Sequence, residues 1–77
     1  MQRFDAARHA VLRAGYQQIL PQGEWLDACG RFWVEIGFEN NHSTIHVAAN
    51  GKTYDEAHAH LAEDLERLMA GMEHNEG

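Results

Sequence analysis

The sequence predicts a small α+β domain of two layers, in which an antiparallel hairpin or three-stranded sheet is covered by two helices. Three segments support this class: an amphipathic helix over 53–72, an alternating strand over 32–39 and a return strand over 44–49. The predicted order is helix, short strand, strand, strand, helix. A hairpin with one apolar face needs cover, and amphipathic helices provide it. A length of 77 residues fits a single domain over 1–77.

The segment 53–72 shows the clearest helix signals in the chain. Thr53 and Glu56 form a T-x-x-E capping box, in which each side chain can satisfy a backbone N–H at the helix start. Acidic residues in the first turn also favour the positive end of the helix dipole. The apolar stripe at helical spacing consists of Ala57, Leu61, Leu65, Leu68 and Met72. Gly71 predicts the end of the helix, with a frayed polar tail over 73–77.

A first helix is expected from residue 2 to about 14, with a looser continuation as far as 20. Gly15 favours an early end, and Pro21 excludes a helix beyond residue 20 because its ring cannot enter a helix interior. The residues expected near one face of this helix are Phe4, Ala7, Val11, Leu12 and Ile19.

The segment 21–31 has the weakest pattern. Gln22-Gly23 indicates a turn. Residues 25–29 fit a short strand, a turn of helix or a loop, and these alternatives remain open at this point.

The two central strands are predicted from alternating apolar residues. In the first strand an apolar set of residues alternates with a mixed set. The apolar set is Phe32, Val34, Ile36 and Phe38, and the mixed set is Trp33, Glu35, Gly37 and Glu39. Residues 40–43 form a polar turn of hairpin length. In the return strand Ile45, Val47 and Ala49 point inward, whereas Thr44, His46 and Ala48 point outward. We therefore expect both helices on the apolar face and an open opposite face. The expected core consists of Phe4, Val11, Val34, Ile36, Val47, Leu61, Leu65 and Leu68.

The net charge of −6 is concentrated in the second half of the chain. Four arginines balance four acidic residues in 1–38, whereas two cations face eight acidic residues in 39–77. Phosphate backbones are bound by clusters of lysine and arginine, so the acidic half disfavours direct nucleic-acid binding. A basic protein surface is the better electrostatic match.

The composition indicates a chain that works in the cytoplasm. No apolar run is long enough to span a bilayer, and no charged-then-apolar signal segment opens the chain, so we expect no membrane association. The single cysteine, Cys29, has no internal disulfide partner, which fits a reducing compartment.

No residue pattern identifies a reaction, a metal or a cofactor. His58 and His60 lie about 200° apart on a helix and cannot share a metal ion. His42, His46 and Cys29 could converge, but the chain has no C-x-x-C and no H-x-x-x-H on a helix. We therefore interpret the histidines as ordinary surface residues and Cys29 as a small buried hydrophobe. The expected protein is not an enzyme and needs no cofactor.

Trp33 is the large apolar side chain that the strand phase places on the open face. It is either an exposed anchor for a partner, since tryptophan is enriched among interface hot spots, or a residue packed beneath 21–31 or in a dimer. An edge strand beside it also allows a homodimer.

The segment 45–61 contains the pattern V-x-A-x-G-x-T-x-x-E-A-x-x-x-L, which runs from Val47 to Leu61. This pattern is similar to the strand–turn–helix of HicB-type antitoxins. The resemblance implies a toxin-binding role.

The predicted element order is similar to that of a double-stranded-RNA-binding domain, which has a helix, three strands and a helix. The last helix of that family begins with a lysine cluster that grips phosphates. Here the corresponding positions 53–58 read Thr-Tyr-Asp-Glu-Ala-His. The resemblance therefore implies the fold without the RNA-binding function.

The size, acidity and mixed α/β composition of the chain resemble those of small phage anti-CRISPR and related anti-defence proteins. The resemblance implies an inhibitor in the host-cell cytoplasm, whose acidic helix stands in for phosphates in a basic groove of a nucleic-acid-binding complex. We therefore expect a non-catalytic protein-binding module. The alternatives are a HicB-like antitoxin, a subunit of a larger assembly and a small metal- or RNA-binding domain. The residues expected to contact the partner are Trp33, Glu35, Glu39, Asp55, Glu56, Glu63, Asp64 and Glu66.

Overall fold

A computed structural model describes the backbone of residues 2–75 and the side chains within this range except those of 2, 20–22 and 72–75. The elements are α1 (Gln2–Arg13), β1 (Gln17–Leu26), β2 (Phe32–Glu39), β3 (Thr44–Gly51) and α2 (Tyr54–Asn75). The strands form one antiparallel sheet in the order β1-β2-β3. The predicted α+β class and its three-stranded alternative are confirmed. Among these described residues, no helix is long and apolar enough to cross a membrane.

Both helices lie on the apolar face of the sheet. Helix α2 packs across β3 and β2, and α1 packs mainly along α2. The alternation in β2 is confirmed, since Val34, Ile36 and Phe38 are fully buried. Each such side chain contributes about 1.5–3 kcal/mol when it is withdrawn from water. The complete core cluster consists of Phe4, Ala7, Val11, Val34, Ile36, Phe38, Ile45, Ala49, Ala57, Leu61, Ala62 and Leu65.

The core prediction is wrong at two positions: Val47 is only half-buried against this core, and Leu68 lies outside it. Its side chain is 37% exposed, whereas Leu61 and Leu65 are fully buried. Leu68 lies about 21 Å along α2 from Tyr54, close to the end of an eight-residue strand. Few sheet residues therefore remain beneath it.

The predicted continuation of the first helix to residue 20 is wrong. Helix α1 ends at Arg13 because Gly15 adopts a φ of +100°, which turns the chain into β1. Ile19, expected on a helix face, lies in β1 and is 47% exposed. Pro21 is accommodated because β1 is an edge strand whose register shifts between Gln18 and Leu20 and between Leu20 and Gly23.

The alternatives for 21–31 resolve into a strand and a turn. Strand β1 continues to Leu26, and 27–30 form the turn before β2. The turn predicted at Gln22-Gly23 is wrong, since both residues lie inside β1 and Gly23 pairs with Glu35.

The start of α2 follows the predicted cap, although its end does not. The Thr53 hydroxyl accepts a hydrogen bond from the Glu56 backbone N–H at 3.1 Å, and the Glu56 carboxylate accepts one from the backbone N–H of Lys52 at 3.3 Å. A Cβ at Gly51 would lie 2.8 Å from Glu56 Cβ, so glycine allows the tight turn from β3.

The helix continues through Gly71 to Asn75, so the stop predicted at Gly71 is wrong. Three residues of the expected frayed tail, 73–75, are helical, and 76–77 lie outside the described residues. A glycine inside a helix costs about 1 kcal/mol, which one more turn of hydrogen bonds can offset.

Candidate protein-binding surfaces

The first candidate surface is the sheet face opposite the helices, called the open face here. Its side chains come from the residues of β2 and β3 that alternate with the core. Thr44, His46 and Ala48 are exposed there, as predicted, and no described element packs over them. Antiparallel sheets commonly leave one face solvated in this way, so the exposure alone identifies no site.

Two tryptophans distinguish the open face from an ordinary solvated sheet. Trp25 and Trp33 are direct partners in the β1–β2 register. Their rings are stacked with centroids 5.8 Å apart and an angle of 2° between the planes. Trp25 is 39% exposed and Trp33 is half-buried. Trp33 thus packs against the 21–31 segment, and the accessible part of the pair is contributed mainly by Trp25.

Asp27 fixes the turn beside this tryptophan pair. Its Oδ1 accepts hydrogen bonds from the backbone N–H groups of Cys29 and Arg31, each at 2.9 Å. Its Oδ2 accepts a hydrogen bond from Trp33 Nε1 at 2.7 Å. The bond from Trp33, followed by that from the Arg31 backbone, lowers the pKa of Asp27 below its usual value. An ionised carboxylate is therefore held at the edge of the stacked rings.

Sequence reasoning missed both Trp25 and Asp27 as members of this surface. A turn signal was present, because an aspartate at the first position and Gly30 at the fourth are typical of a type I turn. That signal would have set the hairpin register and placed Trp25 opposite Trp33. Cys29 lies in the same turn and is exposed, which corrects the expectation of a buried thiol.

The predicted acidic residues Glu35 and Glu39 also lie on the open face. Glu35 Oε2 is 3.1 Å from His46 Nε2, and its side chain passes over Gly23, where a Cβ would meet Glu35 Cγ at 3.2 Å. Glu39 is exposed at the end of β2. Trp33, Glu35 and Glu39 therefore share one face of β2, with Glu39 about 20 Å along the strand from Trp33.

The second candidate surface is the outer side of α2, where much of its charge is already engaged. Arg3 of α1 donates two hydrogen bonds to Glu66, at 3.0 and 2.7 Å, and its guanidinium lies 3.7 Å from Glu63. This pairing lowers the pKa of Glu66 and raises that of Arg3. All three side chains are about half exposed, so the contribution to stability is small.

The remaining acidic residues of α2 differ in their contacts. Asp64 lies 3.5 Å from Arg67, and Glu56 caps the helix. Asp55 is exposed and has no ion pair among the described side chains. The two predicted sets of partner-binding residues thus lie on opposite layers of the fold.

His58 is buried, contrary to the expectation that all histidines are at the surface. The residue is 2% exposed, and its ring packs edge-on against Phe4 with centroids 5.5 Å apart. Nδ1 lies 2.8 Å from the carbonyl oxygen of Tyr54, and Nε2 lies 3.4 Å from Glu24 Oε2. A carbonyl only accepts, so Nδ1 is the protonated donor. His58 therefore ties α2 to both α1 and the edge strand β1.

No three histidine, cysteine, aspartate or glutamate side chains described here are close enough to hold a metal ion together.

The chain matches no protein-family model, no curated protein and no solved structure.

Proposed function

We propose that the protein is a non-catalytic binding module whose open face docks onto a basic surface of a protein partner. The observation that carries this proposal is the Trp25–Trp33 stack, which lies accessible on a sheet face that no described element covers. Tryptophan is among the residues most enriched at interface hot spots, since it buries a large area at little conformational cost.

The charge of the open face supports a basic partner. Asp27 bonds Trp33, and Glu35 follows on the same face of β2, whereas Glu39 lies at the far end of that strand. Arg31 is the cation beside Asp27, and the chain as a whole has a net charge of −6. Complementary charge accelerates encounter, and an arginine of the partner can stack on an indole ring through a cation–π interaction. Surfaces that bind nucleic acid are basic. The partner that we propose is therefore a nucleic-acid-binding complex of the CRISPR-type defence class in the host cytoplasm.

The acidic helix is the less favourable docking surface for such a partner. Arg3 would have to release Glu66 and Glu63 before they could pair with partner cations. Asp55 differs from the other predicted acidic residues of α2, because it forms no ion pair with a described side chain, does not cap the helix as Glu56 does, and could bind a partner cation directly. The open face, in contrast, presents its tryptophans without rearrangement.

A comparison of three immobilised proteins tests this proposal in a lysate of the host cell. The wild type is compared with Trp25→Thr, which removes the accessible ring, and with Glu63→Gln/Glu66→Gln, which alters the helix surface without adding a cation beside Arg3. Proteins retained by the wild type are identified by mass spectrometry. We expect a basic partner that elutes at raised salt, is retained by the helix variant and is lost from Trp25→Thr.

The opposite pattern would contradict the proposal. Loss of the partner from the helix variant alone would assign binding to α2. Circular dichroism and thermal melting of each variant serve as controls, since a tryptophan replacement also weakens the cross-strand pair.

A further inference from the structure

The two free edges of the sheet differ in how readily they can pair with another strand. Edge strand β1 has two register shifts and contains Pro21, which has no N–H to donate. Strand β3 pairs with β2 without interruption from Thr44 to Gly51 and contains neither proline nor a formally charged residue. Natural sheets protect their edges with prolines, bulges and charges, so β1 is protected and β3 is not.

Two hydrogen bonds define which backbone groups of β3 point away from β2. The carbonyl of Ser43 accepts from the Asn40 N–H within the hairpin, so the backbone of residue 43 points inward. The backbone carbonyl of Asn50 accepts a hydrogen bond from His60 Nδ1 at 2.7 Å. The backbone of residue 50 therefore points outward, away from β2. Because direction alternates along an antiparallel strand, residues 44, 46 and 48 also point their N–H and C=O groups outward.

We infer that the outer edge of β3 is a self-association surface, where a second copy of the chain pairs antiparallel about a two-fold axis at His46. This register places Thr44 opposite Ala48 of the second copy and His46 opposite its equivalent. The outward N–H and C=O groups of residues 44, 46 and 48 of each copy are then paired. The product is one continuous six-stranded sheet.

The side chains along this edge agree with a second copy as the occupant. On the helix side, Ile45 would lie opposite the half-buried Val47 of the second copy, and both would gain apolar cover. The formal charges on the flank of α2 that carries His60 sum to zero, since Asp64 pairs with Arg67, and the Glu56 carboxylate is bound by the backbone N–H of Lys52, a residue of opposite charge. Like-charge repulsion between two chains of charge −6 is therefore small at this edge.

The register can be tested by oxidative cross-linking of the full chain. In a Cys29→Ser background, His46→Cys places two cysteines across the two-fold axis, with Cα atoms about 5.5 Å apart, within the range of a disulfide. Thr44→Cys is the matched control, because its two cysteines would lie about 13 Å apart along the strands. We expect a covalent dimer from His46→Cys and at least a tenfold smaller cross-linked fraction from Thr44→Cys.

Sedimentation of the unmodified chain over a wide concentration range supplies the second measurement. The expected mass is that of two copies, falling to one copy in Ala48→Pro, which blocks an outward N–H without breaking the β2–β3 ladder. Trp25→Thr should remain a dimer, which separates this inference from the proposed function of the open face. A single-copy mass at all concentrations, equal cross-linking of the two cysteine variants, or a dimer lost only in Trp25→Thr would overturn the inference.

Discussion

Asp27 shows how one side chain can determine a local geometry that its neighbours alone would not specify. Its carboxylate accepts from two backbone N–H groups and from the Trp33 indole. The same residue therefore closes the β1–β2 turn and orients one ring of the stack. Both roles favour the ionised form, because a protonated carboxyl group is a weaker acceptor.

We expect the stability of the protein to fall in acid partly through Asp27. The folded-state pKa lies below the unfolded value of 3.8, so this stabilisation is complete above that value and is lost as pH falls through the folded pKa. Asp27→Asn should lower the melting temperature near neutral pH and flatten the acid decline. Glu39→Gln is the control, since it removes a similar charge from an exposed position.

Thermal melts between about pH 2 and pH 6 check this expectation. An acid decline in Asp27→Asn as steep as that of the wild type would contradict it. Glu66 also lowers the stability of both the wild type and Asp27→Asn as the pH falls, because Arg3 lowers the pKa of Glu66.

At the scale of elements, α2 combines a deeply buried face with faces that remain wet. Leu61 and Leu65 are completely enclosed by α1, β2 and β3, whereas Leu68, three residues further along, is 37% exposed. Among the described side chains of α2, Met69 is the last that packs against the core, and it is only partly buried. The same leucine-to-alanine substitution can therefore be compared at a buried position, Leu65, and at an exposed position, Leu68.

Leu65→Ala should destabilise the fold by about 2–5 kcal/mol, since it leaves a cavity in a packed core. Leu68→Ala should cost about 1 kcal/mol or less, because its side chain already contacts water. Urea unfolding followed by circular dichroism gives both values. Similar midpoints for the two variants would show that the core does not end at Leu65.

The elements that could be predicted are those whose signals are local. Strands β2 and β3 show strict alternation, and α2 begins with a capping box, so each was recognised from its own residues. Strand β1 has no such pattern, because Pro21 and Gly23 interrupt it. It becomes a strand because β2 offers it partners across the sheet.

The candidate site, like the elements, could be predicted only where its signals are local. The strand phase placed Trp33 on the open face, but its contact with Trp25 depends on the register of a hairpin whose first strand was not recognised. The engagement of Glu66 by Arg3 joins residues 63 positions apart, and no local pattern indicates such a pair. Long-range contacts are therefore what the sequence could not supply.

At the scale of the whole molecule, negative charge is distributed over both layers. Asp27, Glu35 and Glu39 lie on the sheet side, and most of the remaining acidic residues lie on α2. The arginines of α1 reduce the charge of the helical layer without forming a cluster. Arg3 faces α2, whereas Arg8 donates a hydrogen bond to the Gln18 side chain at 3.2 Å.

We expect no binding to duplex DNA or RNA at physiological salt, because phosphate contacts need clustered cations. A gel shift at micromolar protein is the measurement, with a basic double-stranded-RNA-binding domain as the positive control. A shift that disappears on raising salt would contradict the expectation and would restore RNA binding as a candidate function.

The packing of α1 on α2 also sets an order of events during folding. The three strands meet their neighbours across short turns, so the sheet closes through local contacts, whereas α1 must wait for a helix that follows it by some 40 residues. Pulsed hydrogen exchange during refolding should therefore protect the amides of β2 and β3 no later than those of α1. Early protection of α1 alone would contradict this order. During synthesis, α1 would emerge before α2 but could dock only once α2 has followed it.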